Sequence, residues 1–224
     1  MVNHAKKWDV WKIISILILV SYALFLVYPL ISLLQQSIYV DGKFTFEFFV
    51  QFFSKNYYVT TIWNSIKVSV SATIITLIIG VPLAYFYQMF EIKGKTVLQI
   101  LIILCSMSAP FIGAYSWILL LGRNGLITAG LKNLFGISIG SIYGFKGILL
   151  VLSLQLYPLV FLYVSGALKN IDNSLIEASQ NMGCSGIKCF FKVIIPLCMP
   201  TILASTLLVF MRAFADFGTP LLIG

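Results

Sequence analysis

Five stretches of this chain contain no Asp, Glu, Lys or Arg: residues 13–40, 68–90, 96–122, 147–168 and 193–211. Each holds a helix of about 20 residues, the length that crosses a hydrocarbon core about 30 Å thick. Lipid offers no partner to a free backbone N–H or C=O, so a segment placed there must satisfy its own hydrogen bonds. Strand-like alternation is absent from all five, which makes the spans helical. The fold class is therefore all-α, a polytopic transmembrane helix bundle of about five spans, the first over about 13–34. Hydrophobic residues at 60%, charged residues at 10% and a mean hydropathy of +1.00 exclude an ordinary water-soluble globule. Pro29, Pro82, Pro110, Pro158, Pro196 and Pro200 lie in or at the ends of spans, where neighbouring helices compensate for lost backbone bonds and kinks form.

The net charge of +8 does not indicate nucleic acid, because the basic residues are scattered among short loops instead of gathered on one element. Cys105, Cys184, Cys189 and Cys198 form no CxxC pair, and His4 is the one imidazole, so neither a metal site nor a disulfide framework is indicated. With the N-terminus (1–12) inside, eight basic residues fall on inner segments and seven on outer ones, which decides nothing. Lys6, Lys7 and Lys12 before the first span, and Lys93 and Lys95 in a short turn, favour N-inside. Residues 41–67 then form an outer loop dense in aromatics, read as a short helix at the membrane surface. Gly136, Gly140 and Gly144 give GxxxG spacing, but Lys132 and Lys146 flank them, and a loop is expected there.

Catalytic chemistry has little to work with. Gly94, Lys95 and Thr96 imitate the end of a phosphate-binding loop, yet Met89 stands where its first glycine belongs and no strand precedes it. No grouping of Ser, His and acid is available, and no enzyme is expected. Ion-coupled carriers place ionisable residues inside their spans at about 3 kcal/mol each. The five charge-free stretches contain none, so a driving force has to arrive from outside the spans.

One polar insert, 169–192, offers a point of entry. Ser174 followed three residues later by Glu177 reads as a capping box, which starts a helix near Ser174. Leu175, Ala178 and Met182 make a narrow apolar stripe, and Gly183 supplies the left-handed residue that ends many helices. Ser185 is placed to cap a second helix, in which Ile187, Phe190, Phe191 and Ile194 repeat at helical spacing into the last span. The bland reading is an amphipathic helix lying on the membrane. The full pattern is more specific: Glu177, Ala178, Ser179, three residues, Gly183, nine residues, then Val193, Ile194, Ile195 and Pro196. It resembles the EAA loop of binding-protein-dependent ABC importer permeases, with Ser179, Val193 and Ile195 as conservative departures.

That resemblance implies an inner-membrane permease subunit whose 169–192 loop faces the cytoplasm and docks an ABC ATPase through Glu177, Ala178, Ser179, Gly183, Ile187, Val193, Ile195 and Pro196. Glu177 would orient the helix, Ala178 allow close approach and Gly183 make the turn. ATP would be bound by that partner and no cofactor by this chain. An extracytoplasmic solute-binding protein and a second permease half, or a second copy, would complete the assembly. Leu121–Thr128 and Phe214–Pro220 resemble the ferric-iron and 2-aminoethylphosphonate branch, which places Arg123, Asn124, Arg212 and Asp216 as candidate gate or periplasmic contacts. Arg212 and Asp216 are spaced to pair across one helical turn, as a solvated ion pair or as a gate. Members of that branch are typically two fused six-span units, so the chain, with 212–224 outside the membrane, is expected to correspond to the N-terminal half of a longer permease. The rival readings are a membrane scaffold that uses the same loop as a docking site, and an ion-coupled carrier.

Overall fold

The computed structural model describes residues 10–40, 43–91, 93–107, 110–123, 125–135, 142–184 and 186–224. The chain divides into two compact units, Met1–Ile62 and Trp63–Gly224. In the first, α1 (Val10–Tyr22), a π-turn (Ala23–Val27) and α2 (Tyr28–Ile38) form one apolar run of 29 residues with no buried side chain. A two-residue antiparallel ladder follows, β1 (Tyr39–Val40) on β2 (Lys43–Phe44). Next comes α3 (Glu47–Ser54), whose Phe52 stacks on Tyr58 at 4.8 Å. This is the short aromatic helix expected in 41–67, but the helix after it starts earlier than the charge pattern suggested. That helix, α4 (Asn56–Met89), begins well before residue 68 and takes in Lys67.

The second unit continues with α5 (Lys95–Ser106), α6 (Pro110–Leu121), α7 (Leu126–Phe135), α8 (Phe145–Lys169), α9 (Asn173–Asn181), α10 (Ile187–Cys189), a second π-turn (Phe190–Ile194), α11 (Ile195–Ala215) and α12 (Gly218–Ile223). The expected span 96–122 is divided between α5 and α6, and the run Phe111–Gly130 is bent by 107° from Lys95–Ser106. Proline explains the position of the break, because Pro110 has no N–H to continue a helix and suits the first position of a new one. Among the described residues four helices are long and apolar enough to cross a membrane, five if the bent pair counts as one span. Gly136 and Gly140 lie outside the described residues; Gly144 precedes α8 with φ +92°, and its N–H donates to the Ile223 carbonyl at 2.7 Å.

The core is built around α8. Val151, Leu152, Val160, Phe161 and Val164 are buried along it, and the largest of them, Phe161, meets the Tyr87 ring edge-on at 5.1 Å. Against it α4 presents small residues, with Ala72, Thr76, Gly80 and Ala84 buried. Small side chains let helix backbones approach closely, which matters in lipid, where burial of apolar surface no longer drives association. A Cβ at Gly80 would stand 2.7 Å from Val160 Cβ. Tyr87 also ties α4 to α5, its hydroxyl donating to Gln99 Oε1 at 2.9 Å with Lys95 Nζ 4.7 Å from its ring centre.

Both π-turns stand in the same relation to a proline, whereas Pro82, Pro158 and Pro200 lie within regular α-helix. Each is centred four residues before a proline, on Phe25 before Pro29 and on Lys192 before Pro196. In a regular helix a proline ring strikes the carbonyl four residues back and offers that carbonyl no N–H. Widening the turn moves that carbonyl away from the ring.

Candidate functional site

The expected helix, turn and helix is present at 169–192, built on different local contacts. Helix α9 begins at Asn173, and Asp172 caps it, its Oδ1 accepting the Ser174 N–H at 2.9 Å. The Ser174 and Glu177 capping box is thus replaced by a cap two residues earlier, and Glu177 stands exposed on the second turn. Those hydrogen bonds hold the Asp172 carboxyl below its usual range. An aspartate at the N-cap satisfies a free amide and sits at the positive end of the helix dipole, a signal already visible in Asp172-Asn173-Ser174.

The turn closes as predicted at Gly183, where φ is +82°. The Cys184 N–H donates back to the Ser179 carbonyl at 3.0 Å, six residues inclusive, which is the Schellman closure of a helix C-terminus. Ser185, the expected cap of the second arm, lies outside the described residues. Gly186 does the visible work there, with φ +53° and ψ −126°, a conformation nearly closed to other residues.

The apolar stripe faces the opposite way from a packed one. Leu175 and Met182 are exposed, Met182 by 83%, together with Ala178 and Ile187. Inside the elbow sit Ser179, Cys189 and Ile194, all buried. Ser179 Oγ donates to the Ile176 carbonyl at 2.7 Å, leaving the Cys189 thiol to donate to Ser179 Oγ at 3.4 Å. The residue that departs from the Glu-Ala-Ala pattern is therefore the one that joins the two arms. Val193 and Ile195 are half-buried and Pro196 is exposed.

The second arm runs without a break into α11, so Ile187–Ala215 is one 29-residue helix with a π-turn near its start. Phe190 in that turn lies 4.6 Å from the Tyr85 ring of α4. The elbow is thereby attached to the bundle through α8, α11 and α4.

The other candidate residues divide. Arg123 is exposed and lies 6.0 Å from the Tyr143 ring centre, while Asn124 is outside the described residues. Arg212 and Asp216 do not pair: α11 ends at Ala215, Asp216 turns to an extended backbone, and its carboxylate caps α12 instead. Oδ1 accepts the Gly218 N–H at 2.9 Å and the Thr219 N–H at 3.3 Å, and Oδ2 accepts the Thr219 hydroxyl at 2.6 Å. Both residues line a cavity of about 440 Å³ with Phe111, Leu152, Gln155 and Phe217. The charge-free stretches thus understate the helices, because α11 includes Arg212 and α4 includes Lys67.

These features define a polytopic α-helical membrane protein with a polar elbow between two of its long helices. The chain belongs to the family of binding-protein-dependent transport system inner membrane components, whose model matches residues 77–224. It is 31% identical over 219 residues to the ferric transport system permease protein FbpB of Actinobacillus pleuropneumoniae, covering 97% of this chain and 32% of that one. It is 31% identical over 159 residues to the molybdenum transport system permease protein ModB of Haemophilus influenzae, covering 69% of each. The spermidine/putrescine permease PotB of the same organism is 32% identical over 169 residues, covering 75% of this chain and 59% of that one. The chain spans about a third of the length of the ferric permeases it matches. The crystal structure of a bacterial ABC transporter that imports alginate superposes with a TM-score of 0.68 at 17% identity, covering 94% of this chain and 79% of that one. That likeness is one of fold.

Proposed function

We propose that this chain is the membrane-embedded permease part of an ATP-driven importer, with its N-terminus and the 169–192 elbow in the cytoplasm. One observation carries the reading: a polar segment between α8 and α11 is locked internally by Ser179, Cys189 and Gly183 while it exposes Leu175, Met182 and Ile187. A rigid elbow that holds apolar side chains out in water is a surface shaped for a partner. A cytoplasmic ATPase gripping that surface would move α8 and α11 together, and two such halves rocking against each other give alternating access. Glu177 and Ala178, both exposed on the outward side, are the contact residues of this reading, with Gly183 as its corner. An extracytoplasmic binding protein would deliver cargo to the opposite end, and ferric iron or a phosphonate-like small solute is the cargo proposed.

The test is Gly183→Asp together with a topology probe. The variant is expected to insert normally and to lose ATP-coupled uptake, and normal uptake overturns the assignment. Met182→Cys, in a background with Cys105 replaced by serine, is expected to react with a membrane-impermeant maleimide only after the cells are opened. Labelling from outside would sink the proposed orientation.

A further inference from the structure

We propose that the cavity at the end of the bundle remote from the elbow is a recognition site for a small oxyanion, a carboxylate or phosph(on)ate, read by Arg212 and Gln155. The proposal deepens the permease reading above and rests on it. Arg212 lies seventeen residues beyond Ile195 on α11, about 25 Å along the axis at 1.5 Å per residue. The cavity therefore lies nearly a hydrocarbon thickness from the elbow.

The cavity carries one guanidinium, Arg212, and one carboxylate, Asp216. Asp216 would be the natural partner for Arg212, but both its carboxylate oxygens are taken up by the start of α12. Among the described residues Arg212 has no ion pair, and it stands exposed in the last turn of α11, where its guanidinium is open to a solute. Gln155, on the facing helix α8, has its Oε1 buried without a hydrogen-bond partner. An acceptor left unpaired in that way costs about 1–3 kcal/mol. A guanidinium and an unpaired amide oxygen lining the same cavity are complementary to a ligand that brings oxyanion oxygens to the arginine and a hydroxyl, N–H or bound water to the glutamine. Phe111, Leu152 and Phe217 form apolar walls, so the polar groups are few and convergent, the usual make-up of a ligand site. The volume of about 440 Å³ admits a citrate-sized solute, alone or holding a metal ion.

The experiment is equilibrium dialysis of the full chain in lipid nanodiscs against radiolabelled citrate, phosphate, ferric citrate and spermidine. The wild type is expected to bind at least one oxyanion probe and to bind spermidine more weakly. Arg212→Gln is expected to weaken oxyanion binding about tenfold or more, the scale of a charge-assisted bond, with Arg212→Lys falling between the two. Tighter binding of ferric citrate than of citrate assigns the oxyanion to a metal's ligand shell, and equal binding assigns it to the free anion. Should Arg212→Gln lose helix content, Gln155→Glu decides, because its added carboxylate repels an oxyanion. Unchanged binding in these variants, no binding of any oxyanion by the wild type, or preference for spermidine overturns the proposal. Gly183→Asp is the control, expected to bind as wild type while coupling is lost, so that failure of the elbow reading and failure of the cavity reading give different results.

Discussion

At single residues, the elbow depends on backbone conformation more than on contacts. A Cβ at Gly183 would meet nothing within 4 Å, so a substitution there is opposed by the positive φ alone, about 1–2 kcal/mol for an ordinary residue. Asp172 is the second local determinant. Its folded carboxyl sits below the ordinary value of 3.8, so its cap is fully present above that value and is lost as pH falls through the lowered one. Asp172→Ala is therefore expected to speed amide exchange at Ser174 and Leu175 at neutral pH and to change little at a pH where the wild-type carboxyl is already protonated. Equal acceleration at both pH values would show that the carboxylate is not the cap. Ser179 illustrates what a motif conceals: the spacing identified the position, but only the fold showed its hydroxyl between the Ile176 carbonyl and the Cys189 thiol.

At the scale of elements, close approach and π-turns decide the geometry. Gly80 and Gly166 sit in helices of similar character, yet a Cβ at Gly80 runs into Val160 and one at Gly166 meets open space. Gly80→Ala is expected to lower the melting temperature in detergent. Gly166→Ala should hold it or raise it, by up to about 1 kcal/mol of helix propensity. A similar response from both would show that α4 and α8 are not held by this contact. Pro196 is the other lever on geometry. Restoring an N–H with Pro196→Ala is expected to tighten Phe190–Ile194 toward a regular α-turn and rotate the second arm of the elbow about α11. The consequence to measure is solute taken up per ATP hydrolysed, expected to fall while expression is kept. Unchanged coupling would mean that the π-turn is incidental to transmission.

For the whole molecule, the question is how a movement of the elbow reaches the bundle. It has covalent routes into α8 and α11 and one contact route, the 4.6 Å meeting of Phe190 with Tyr85 on α4. An aromatic pair is worth about 0.5–1.5 kcal/mol beyond its burial. Phe190→Leu is accordingly expected to reduce coupled uptake severalfold while leaving copurification of an ATPase intact, because Glu177, Ala178 and Ile187 of the proposed docking surface are exposed and independent of that ring contact. Loss of copurification instead would place Phe190 in the docking surface.

Much of this protein was legible in one dimension, for a physical reason. A bilayer tolerates so few backbone solutions that charge-free stretches alone dictate helices, and helix–turn–helix chemistry at 169–192 is written in residues a few positions apart. Span ends were less legible, because Lys67 and Arg212 stand within helices that charge counting had stopped short of. The pairing of Arg212 with Asp216 was misjudged because the chain leaves the helix at Ala215, and a carboxylate one residue past that end meets the amides of α12 before any arginine. What folding alone decided are relations between distant segments: Gly80 under Val160, Phe190 on Tyr85, Gln155 sharing a cavity with Arg212. Helical periodicity determines which residues share a face; which faces meet is settled by packing of side chains far apart in the chain.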